Sequence, residues 1–172
     1  LLGDQVVGAG LISTTAGGLD PADVLLPILP RMVGGRMVGA AIGMLDRGAG
    51  LVDAVRSRGQ GIASLLADTW AFGGPVGSDL IDFCTQMIDE TSFEVVADFY
   101  PSFDELDLFD KVSLFSRIPT TIICGTKDRI TKLEHSRRLH ARIHGSDLIE
   151  VENTGHLVLL ERPTEVNAAL LD

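Results

Sequence analysis

The sequence has few cysteines and few basic residues. Its 172 residues include only Cys84 and Cys124, which argues against a disulfide framework and fits a reducing compartment or buried thiols. The 14 Lys and Arg are outnumbered by 24 Asp and Glu, and the net charge is -10. A partner rich in phosphate, such as nucleic acid, is therefore not expected. No signal peptide or transit sequence is visible, so we expect a cytoplasmic protein.

The composition that remains is typical of a folded domain. Hydrophobic residues make up 45% of the chain and charged residues 22%, and 172 residues are enough to enclose a core. The chain starts with Leu1, not Met, and stops at Asp172 inside a predicted helix. We therefore expect it to be a fragment of a longer protein.

A strand pattern opens the chain, and strand and helix patterns alternate after Asp110. A first apolar run is closed by glycines, and the later elements follow one another with short connections. This alternation predicts a parallel sheet covered by helices. The predicted elements are strands at Gln5–Thr15, Thr120–Cys124 and Leu148–Val151, a basic helix at Lys132–Ile143 and a final helix from Pro163.

Between the first strand and the later ones, helical periodicity dominates residues 20–110. The clearest helix is predicted over Ser78–Glu90. The stretch Arg31–Leu45 is apolar and carries glycines every four residues, at Gly35, Gly39 and Gly43. It is too short to span a membrane and contains Arg36, so the spacing favours close packing of helices. Contact with a membrane surface is a second, lower-ranked interpretation.

Two polar residues follow neighbouring strands where ligands usually bind in parallel sheets. Asp128 comes after the strand that ends at Gly125, and His156 follows the strand that ends near Val151. Side by side, they would form an Asp–His pair, in which the carboxylate fixes the imidazole tautomer. Taken singly, each residue also has an ordinary interpretation: Asp128 as a helix cap, and His156 as a structural or exposed residue.

Two blocks of sequence resemble the α/β-hydrolases. The block Ile118–Asp128, IPTTIICGTKD, resembles their acid block, and Gly155–Pro163, GHLVLLERP, resembles their histidine block. The resemblance implies the α/β-hydrolase fold, a mostly parallel sheet covered by helices with a helical lid insertion. It also implies that Asp128 is the acid of a catalytic triad and His156 its general base. The two residues are 28 positions apart (156 minus 128), which suits one helix, one strand and two loops.

The resemblance also implies a division of the chain and a missing part. Residues 1–19 correspond to a core strand and turn, 20–110 to the helical lid, and 111–172 to the C-terminal core. The nucleophile elbow G-x-S-x-G is absent. Ser13 lacks the elbow glycines, so we expect the nucleophile upstream of Leu1, in a missing N-terminal half. Without that half, an apolar sheet edge is exposed, and we expect the chain not to fold stably alone.

The function implied by the resemblance is hydrolysis of an ester or acyl substrate, esterase-like or lipase-like, by a Ser-His-Asp triad. No metal or organic cofactor is implied. An alternative keeps the fold with other chemistry: an epoxide hydrolase, dehalogenase, haloperoxidase or C–C hydrolase. A third possibility is a non-catalytic binding module, because a fold does not fix a function.

Several other residues are weaker candidates. His140 and His144 have a zinc-ligand spacing, but the basic residues around them favour a solvated helix face. Glu161 is interpreted as holding its loop, without a role in chemistry. An acidic group is interpreted as an amphipathic turn, with a calcium site as the alternative; its members are Asp104, Glu105, Asp107 and Asp110. An aromatic group is interpreted as core packing, with a substrate pocket as the alternative; its members are Trp70, Phe72, Phe83, Phe93, Phe99 and Phe103.

Overall fold

The chain divides into two compact units. The computed structural model describes residues 5–19, 70–91, 95, 99, 102, 103 and 105–171. The first unit, called the sheet unit, comprises Leu1–Gly18, Trp70–Pro75 and Leu106–Asp172, and the second comprises Leu19–Thr69 and Val76–Glu105. Residues 70–75 and 106–110, predicted as part of a lid over 20–110, therefore belong to the sheet unit. The lid itself stays a prediction, and the stretch Arg31–Leu45 lies outside the described residues.

The second unit contains one well-described helix, α1, at Ser78–Glu90. Its bounds are those predicted from the sequence. Asp79 lies in the first turn, where a carboxylate interacts favourably with the helix dipole. Cys84 is buried, but Met87 is 56% exposed and Ile88 47% exposed. The helical periodicity also predicts a core position for Met87 and Ile88, and the structure shows that this prediction is wrong at the carboxyl end of the helix.

The sheet has three parallel strands in the order β1-β2-β3. They are β1 at Ala9–Ile12, β2 at Thr120–Gly125 and β3 at Asp147–Val151. The central strand is β-branched and apolar, and Ile122, Ile123 and Cys124 are fully buried. Parallel pairing aligns Gly125 with Val151, so both strands end at the same edge of the sheet.

Helices cover both faces of this sheet. They are α2 at Leu133–His140, α3 at Val158–Glu161 and α4 at Pro163–Leu171, and a 3-10 helix at Val112–Arg117 precedes β2. Neighbouring residues on a strand point to opposite faces. Ile122 accordingly packs with Leu139 of α2 in one core, and Ile123 packs with Val158 and Val166 in the other. This arrangement confirms the predicted parallel sheet covered by helices.

Two elements are shorter than the sequence patterns predicted. The strand predicted over Gln5–Thr15 is limited to Ala9–Ile12. Its carboxyl end comes early because Ser13 has a φ of 43° and turns out of the extended conformation. The helix predicted over Lys132–Ile143 ends at His140. Beyond it, turns lead to Gly145, whose φ of 78° is the left-handed conformation common after helices.

Candidate active site

The two loops that follow β2 and β3 are hydrogen-bonded to each other. The amide of Thr126 donates to the carbonyl of Val151 at 3.0 Å, and that of Lys127 to the carbonyl of Thr154 at 2.9 Å. The Thr126 hydroxyl also accepts the amide of Asn153 at 3.0 Å. Such direct backbone pairing continues the register of the sheet into the loops. The residues that each loop carries are therefore held at a fixed separation.

Asp128 and His156 meet between these loops. His156 Nδ1 lies 3.0 Å from Asp128 Oδ2. The Asp128 side chain is fully buried, whereas 25% of the His156 side chain is exposed. A carboxylate only accepts hydrogen bonds, so this contact requires a proton on Nδ1, and in the neutral ring Nε2 is then the acceptor. An imidazole held in this tautomer is equipped to act as a general base.

The buried Asp128 carboxylate is also held by its own loop. Oδ1 accepts the amides of Ile130 and Thr131, both at 2.9 Å, and Oδ2 accepts the Thr131 hydroxyl at 2.9 Å. The carboxylate therefore has four hydrogen-bond donors, counting His156, as a buried charge requires. The helix-cap interpretation of Asp128 is wrong, because Ile130 and Thr131 precede α2, whose N-cap is Lys132 with no side-chain cap hydrogen bond.

Three glycines allow the backbone segments around His156 to touch. A methyl group on Gly125 would strike the carbonyl oxygens of Thr154 and Gly155. One on Gly155 would lie 2.5 Å from the amide nitrogen of Gly73, and one on Gly73 would strike the Thr154 carbonyl carbon. Real Cβ contacts under 3.0 Å are essentially never found. The histidine loop is therefore packed, backbone to backbone, between the end of β2 and the segment 70–75.

Glu161 links the loop that carries His156 to the segment 70–75. Its carboxylate accepts the amide of Gly155 at 2.6 Å and that of Gly73 at 3.1 Å. The amide of Leu157 donates to the carbonyl of Ala71 at 2.9 Å. Glu161 therefore holds its loop, as predicted. The segment 70–75 was not predicted to take part, because nothing in its sequence marks a partner 88 residues away.

With this geometry established, comparison with known proteins assigns the family. The model of the "Alpha/beta hydrolase family" matches residues 6–169, nearly the whole chain. This chain belongs to the α/β hydrolase family. The predicted fold class and the resemblance on which it depended are thereby confirmed.

Individual proteins match this α/β hydrolase only at low sequence identity or over a short stretch of chain. It is 41% identical over 54 residues to the uncharacterised hydrolase YugF of Bacillus subtilis (strain 168), covering 31% of this chain and 20% of that protein. A thermophilic esterase from Thermogutta terrifontis is 22% identical with a TM-score of 0.65, over 98% of this chain and 56% of that one. The enol-lactonase of Burkholderia xenovorans LB400 is 18% identical with a TM-score of 0.64, over 98% and 56%.

These coverages limit what the likeness shows. The α/β hydrolase chain spans little more than half the length of the two solved structures and a fifth of the curated relative. Both structures are less than 25% identical, so they support the fold alone. The activity and the substrate are consequently matters for proposal.

The remaining sequence candidates of this α/β hydrolase do not join the Asp–His pair. Ser13 lies at the end of β1, and its hydroxyl has no hydrogen-bond partner among the described residues. His140 Nδ1 lies 3.0 Å from the Ser146 hydroxyl, while His144 is exposed. Asp107 Oδ1 accepts the amide of Phe109 at 3.3 Å, which fits the predicted turn. The part of the chain that the structure describes contains no His, Cys, Asp and Glu cluster suited to a metal ion.

The aromatic candidates separate by position in the chain. Phe72 is 3% exposed and belongs to the sheet unit, next to Gly73. Phe83, Phe99 and Phe103 belong to the second unit and are 50%, 64% and 43% exposed. Phe72 is therefore a packing residue. Phe93 lies outside the described residues, and a pocket lined by these rings stays a prediction.

Cys124 lies close to the site but is unsuited to nucleophilic chemistry. Burial raises the pKa of its thiol, and the negative charges of Glu150 and Asp128 act in the same direction. The thiol is thus kept protonated at neutral pH, whereas the thiolate is the nucleophilic form.

Of the helices that the structure describes, none has the length and apolar composition to cross a membrane.

Proposed function

We propose that this chain supplies the acid and the base of a Ser-His-Asp triad in an enzyme that hydrolyses carboxylic esters. The observation that carries this proposal is the contact of His156 Nδ1 with Asp128 Oδ2 at 3.0 Å, with the carboxylate buried and the imidazole partly exposed. This arrangement suits proton transfer to and from a reacting hydroxyl. A small-molecule ester or acyl compound is the proposed substrate.

In the proposed reaction, a serine hydroxyl attacks the acyl carbon while His156 Nε2 takes the hydroxyl proton. Asp128 stabilises the imidazolium that forms, and His156 then passes the proton to the leaving alcohol. Water, deprotonated by the same nitrogen, releases the acid from the acyl-enzyme. No step requires a metal or an organic cofactor. The esterase and the enol-lactonase to which the chain is similar bear names consistent with ester chemistry. Their similarity supports the assignment of the fold but does not identify the substrate.

We further propose that the serine is carried by an N-terminal half of the same protein, upstream of Leu1. The N-terminal half would join the sheet beside β1, because the strands described include none paired with the outer edge of β1. A cavity of about 850 Å³ lies beside this strand. It is lined mainly by apolar side chains, including Val6, Leu11, Ala16, Leu108, Val112 and Phe115. An open strand edge next to an apolar groove is suited to pairing with a further strand and its covering helix.

The test is covalent labelling of the preparation that contains this chain. A fluorophosphonate probe is added, and the intact mass of every polypeptide is measured. We expect one adduct, on a larger or companion polypeptide, and a labelling rate lowered by roughly 10³-fold or more in His156→Ala. His144→Ala is the matched control, because His144 is exposed and outside the pair, and it should label at the wild-type rate.

Two results would overturn the proposal. Labelling that is unchanged in His156→Ala would remove the histidine from the mechanism. No adduct on any polypeptide, with the upstream half shown to be present, would remove the serine. The second result would instead favour an Asp nucleophile, as in epoxide hydrolases and dehalogenases, or a binding module without a nucleophile. The cytoplasmic location stays a prediction from the sequence.

A further inference from the structure

Thr131 is a third side chain in contact with both members of the Asp–His pair. Its hydroxyl lies 2.9 Å from Asp128 Oδ2 and 3.3 Å from His156 Nδ1. The residue is 5% exposed, so water cannot easily replace these contacts. No sequence pattern indicates this role, because a threonine three positions after an aspartate is ordinary in a loop.

The hydrogen atoms available decide how these contacts are used. The Thr131 hydroxyl has one hydrogen, and Asp128 Oδ2 is its nearer acceptor. The proton on His156 Nδ1 also points to Oδ2, at 3.0 Å. Both donors therefore converge on one oxygen. If the imidazole changed to the other tautomer, the bare Nδ1 would repel Oδ2 and only the Thr131 hydroxyl would be left to donate to it.

The contacts on the other carboxylate oxygen show what the hydroxyl adds. Oδ1 is held by two backbone amides, which no side-chain substitution at Thr131 removes. A carboxylate anchored only at Oδ1 retains freedom to rotate about its Cβ–Cγ bond, since that torsion has a broad energy minimum. The Thr131 hydroxyl anchors the second oxygen. It thereby fixes the direction in which Oδ2 faces His156.

We propose that Thr131 is a positioning residue that holds Asp128 Oδ2 against His156 and so maintains the Nδ1–H tautomer. This inference rests on the proposed function for its effect on rate, but its effect on the tautomer is independent of it. Thr131 touches neither the nucleophile nor the substrate in this account. Its loss therefore lowers the turnover step and leaves substrate binding unchanged.

The decisive variant is Thr131→Val, which keeps the shape of the side chain and removes only the hydroxyl. In unlabelled samples of the preparation that reacts with the fluorophosphonate probe, hydrolysis of p-nitrophenyl acetate should show kcat lowered by roughly tenfold to a hundredfold, because a misplaced catalytic group can cost up to about a hundredfold. KM should stay within about twofold, and Thr131→Ser should recover most of the wild-type kcat.

A matched control separates positioning from general loss of stability. Thr120→Val removes a hydroxyl that is equally buried, at 3% exposure, but lies at the amino end of β2 and contacts the carbonyls of Phe115 and Ile118. It should lower the melting temperature without lowering kcat. The tautomer is measured directly from ¹⁵N–¹H spectra of the imidazole. Wild type and Thr131→Ser should show protonated Nδ1, and Thr131→Val a mixture of tautomers.

The outcomes are distinct. Wild-type kcat and an unchanged imidazole spectrum in Thr131→Val would overturn the inference, as would a failure of Thr131→Ser to restore either one. A failure of the proposed function is recognised separately, because His156→Ala and Asp128→Asn would then label as fast as wild type. In that case the tautomer spectra alone still decide whether Thr131 positions the pair.

Discussion

Close backbone packing at single glycines sets the position of the histidine loop. Gly73, Gly125 and Gly155 each lie so close to a neighbouring backbone that no Cβ fits without displacement of main-chain atoms. Displacing backbone is costly, because rigid segments on both sides must move together. The same junction aligns the loop that carries His156. A change at these glycines should consequently affect stability and catalysis together.

Gly73→Ala tests this prediction with a control one residue away. Its added methyl group would strike the carbonyl carbon of Thr154 and lie 2.5 Å from the amide nitrogen of Gly155, whereas nothing lies within 4 Å of a methyl on Gly74. We expect Gly73→Ala to lower the free energy of unfolding by about 1–3 kcal/mol, the usual cost of overpacking, and Gly74→Ala to change it by less than about 0.5 kcal/mol. Chemical denaturation of both variants, each produced together with the proposed N-terminal half, measures the difference. Equal stabilities would contradict the close packing.

At the residue scale, sequence reasoning found the residues whose neighbours in sequence make a pattern. Asp128 and His156 are recognisable because each follows a strand and a glycine, and because both lie in blocks that resemble a family. Thr131 and Gly73 were missed. Their roles depend on contacts with side chains or amides that are distant in the chain, 25 residues away for Thr131 and 88 for Gly73. No local pattern specifies such a contact.

At the scale of elements, Glu161 links the short helix α3 to segment 70–75. Its carboxylate accepts amides from both Gly73 and Gly155. Glu161→Gln should lower the free energy of unfolding by about 1–3 kcal/mol, because the amide loses the negative charge and turns one donor group towards these amides. Activity should fall as well, since the histidine loop loses its attachment. Thermal unfolding and the labelling rate, both measured on protein produced together with the proposed N-terminal half, are the two measurements.

A neighbouring glutamate provides the control for this prediction. Glu165 lies in α4, and its carboxylate is 3.7 Å from the Arg162 guanidinium, with both side chains largely exposed. Exposed pairs of this kind contribute little to stability. Glu165→Gln should therefore match the wild type in both measurements. A similar loss in the two variants would show that charge in this region, and not the amide contacts of Glu161, is responsible.

The helix α2 is joined to β3 by an ion pair whose contribution depends on pH. Arg137 donates two hydrogen bonds to Glu150, at 2.7 and 2.8 Å. These bonds hold the pKa of Glu150 below its ordinary value of 4.5, and the guanidinium charge adds to the effect. Since the folded-state pKa is lowered, the stabilisation is complete above 4.5 and is lost as the pH falls through the lower, folded value.

The variant Glu150→Gln should therefore be less stable than wild type at neutral pH, by a small amount because the pair is near the surface. The difference should shrink as the pH is lowered from 4.5 and vanish once Glu150 is protonated in the folded protein. Melting temperatures of the two proteins, each produced together with the proposed N-terminal half, measure this difference across pH 3 to 7. A difference that grows on acidification would contradict the assigned direction.

The elements themselves were largely predictable, but some of their ends were not. Apolar runs rich in β-branched residues located β2 and β3, and helical periodicity located α1 and α4. The end of β1 was missed because Ser13 turns into the left-handed region, which the apolar run QVVGAGLISTT does not signal. The 3-10 helix at Val112–Arg117 was also missed, since so short an element has no distinct periodicity.

At the scale of the whole molecule, the two sides of the sheet unit differ among the residues that the structure describes. Helices α2, α3 and α4 contribute side chains to cores on both faces, and β2 is enclosed between its two neighbours. Beside β1 the surface is different. Leu114, which lines the apolar groove, is 56% exposed, and Val7, which follows the lining residue Val6 in the chain, is 85% exposed. Isolated exposed residues are normal, but a groove beside a strand edge marks a surface suited to association.

This asymmetry predicts that the 172-residue chain does not fold stably as a monomer on its own. Purified alone, it should show no cooperative thermal transition as a monomer, because the groove and strand edge promote association. Produced together with the upstream coding sequence, it should form a species that unfolds cooperatively.

In that species, Leu114→Glu should weaken assembly by roughly tenfold or more, since it places a charge in the apolar groove. Leu171→Glu, at a residue that is 87% exposed and outside the groove, is the matched control. A cooperative transition of the monomeric chain alone would show that the sheet unit needs no partner, and the proposed docking edge would be wrong.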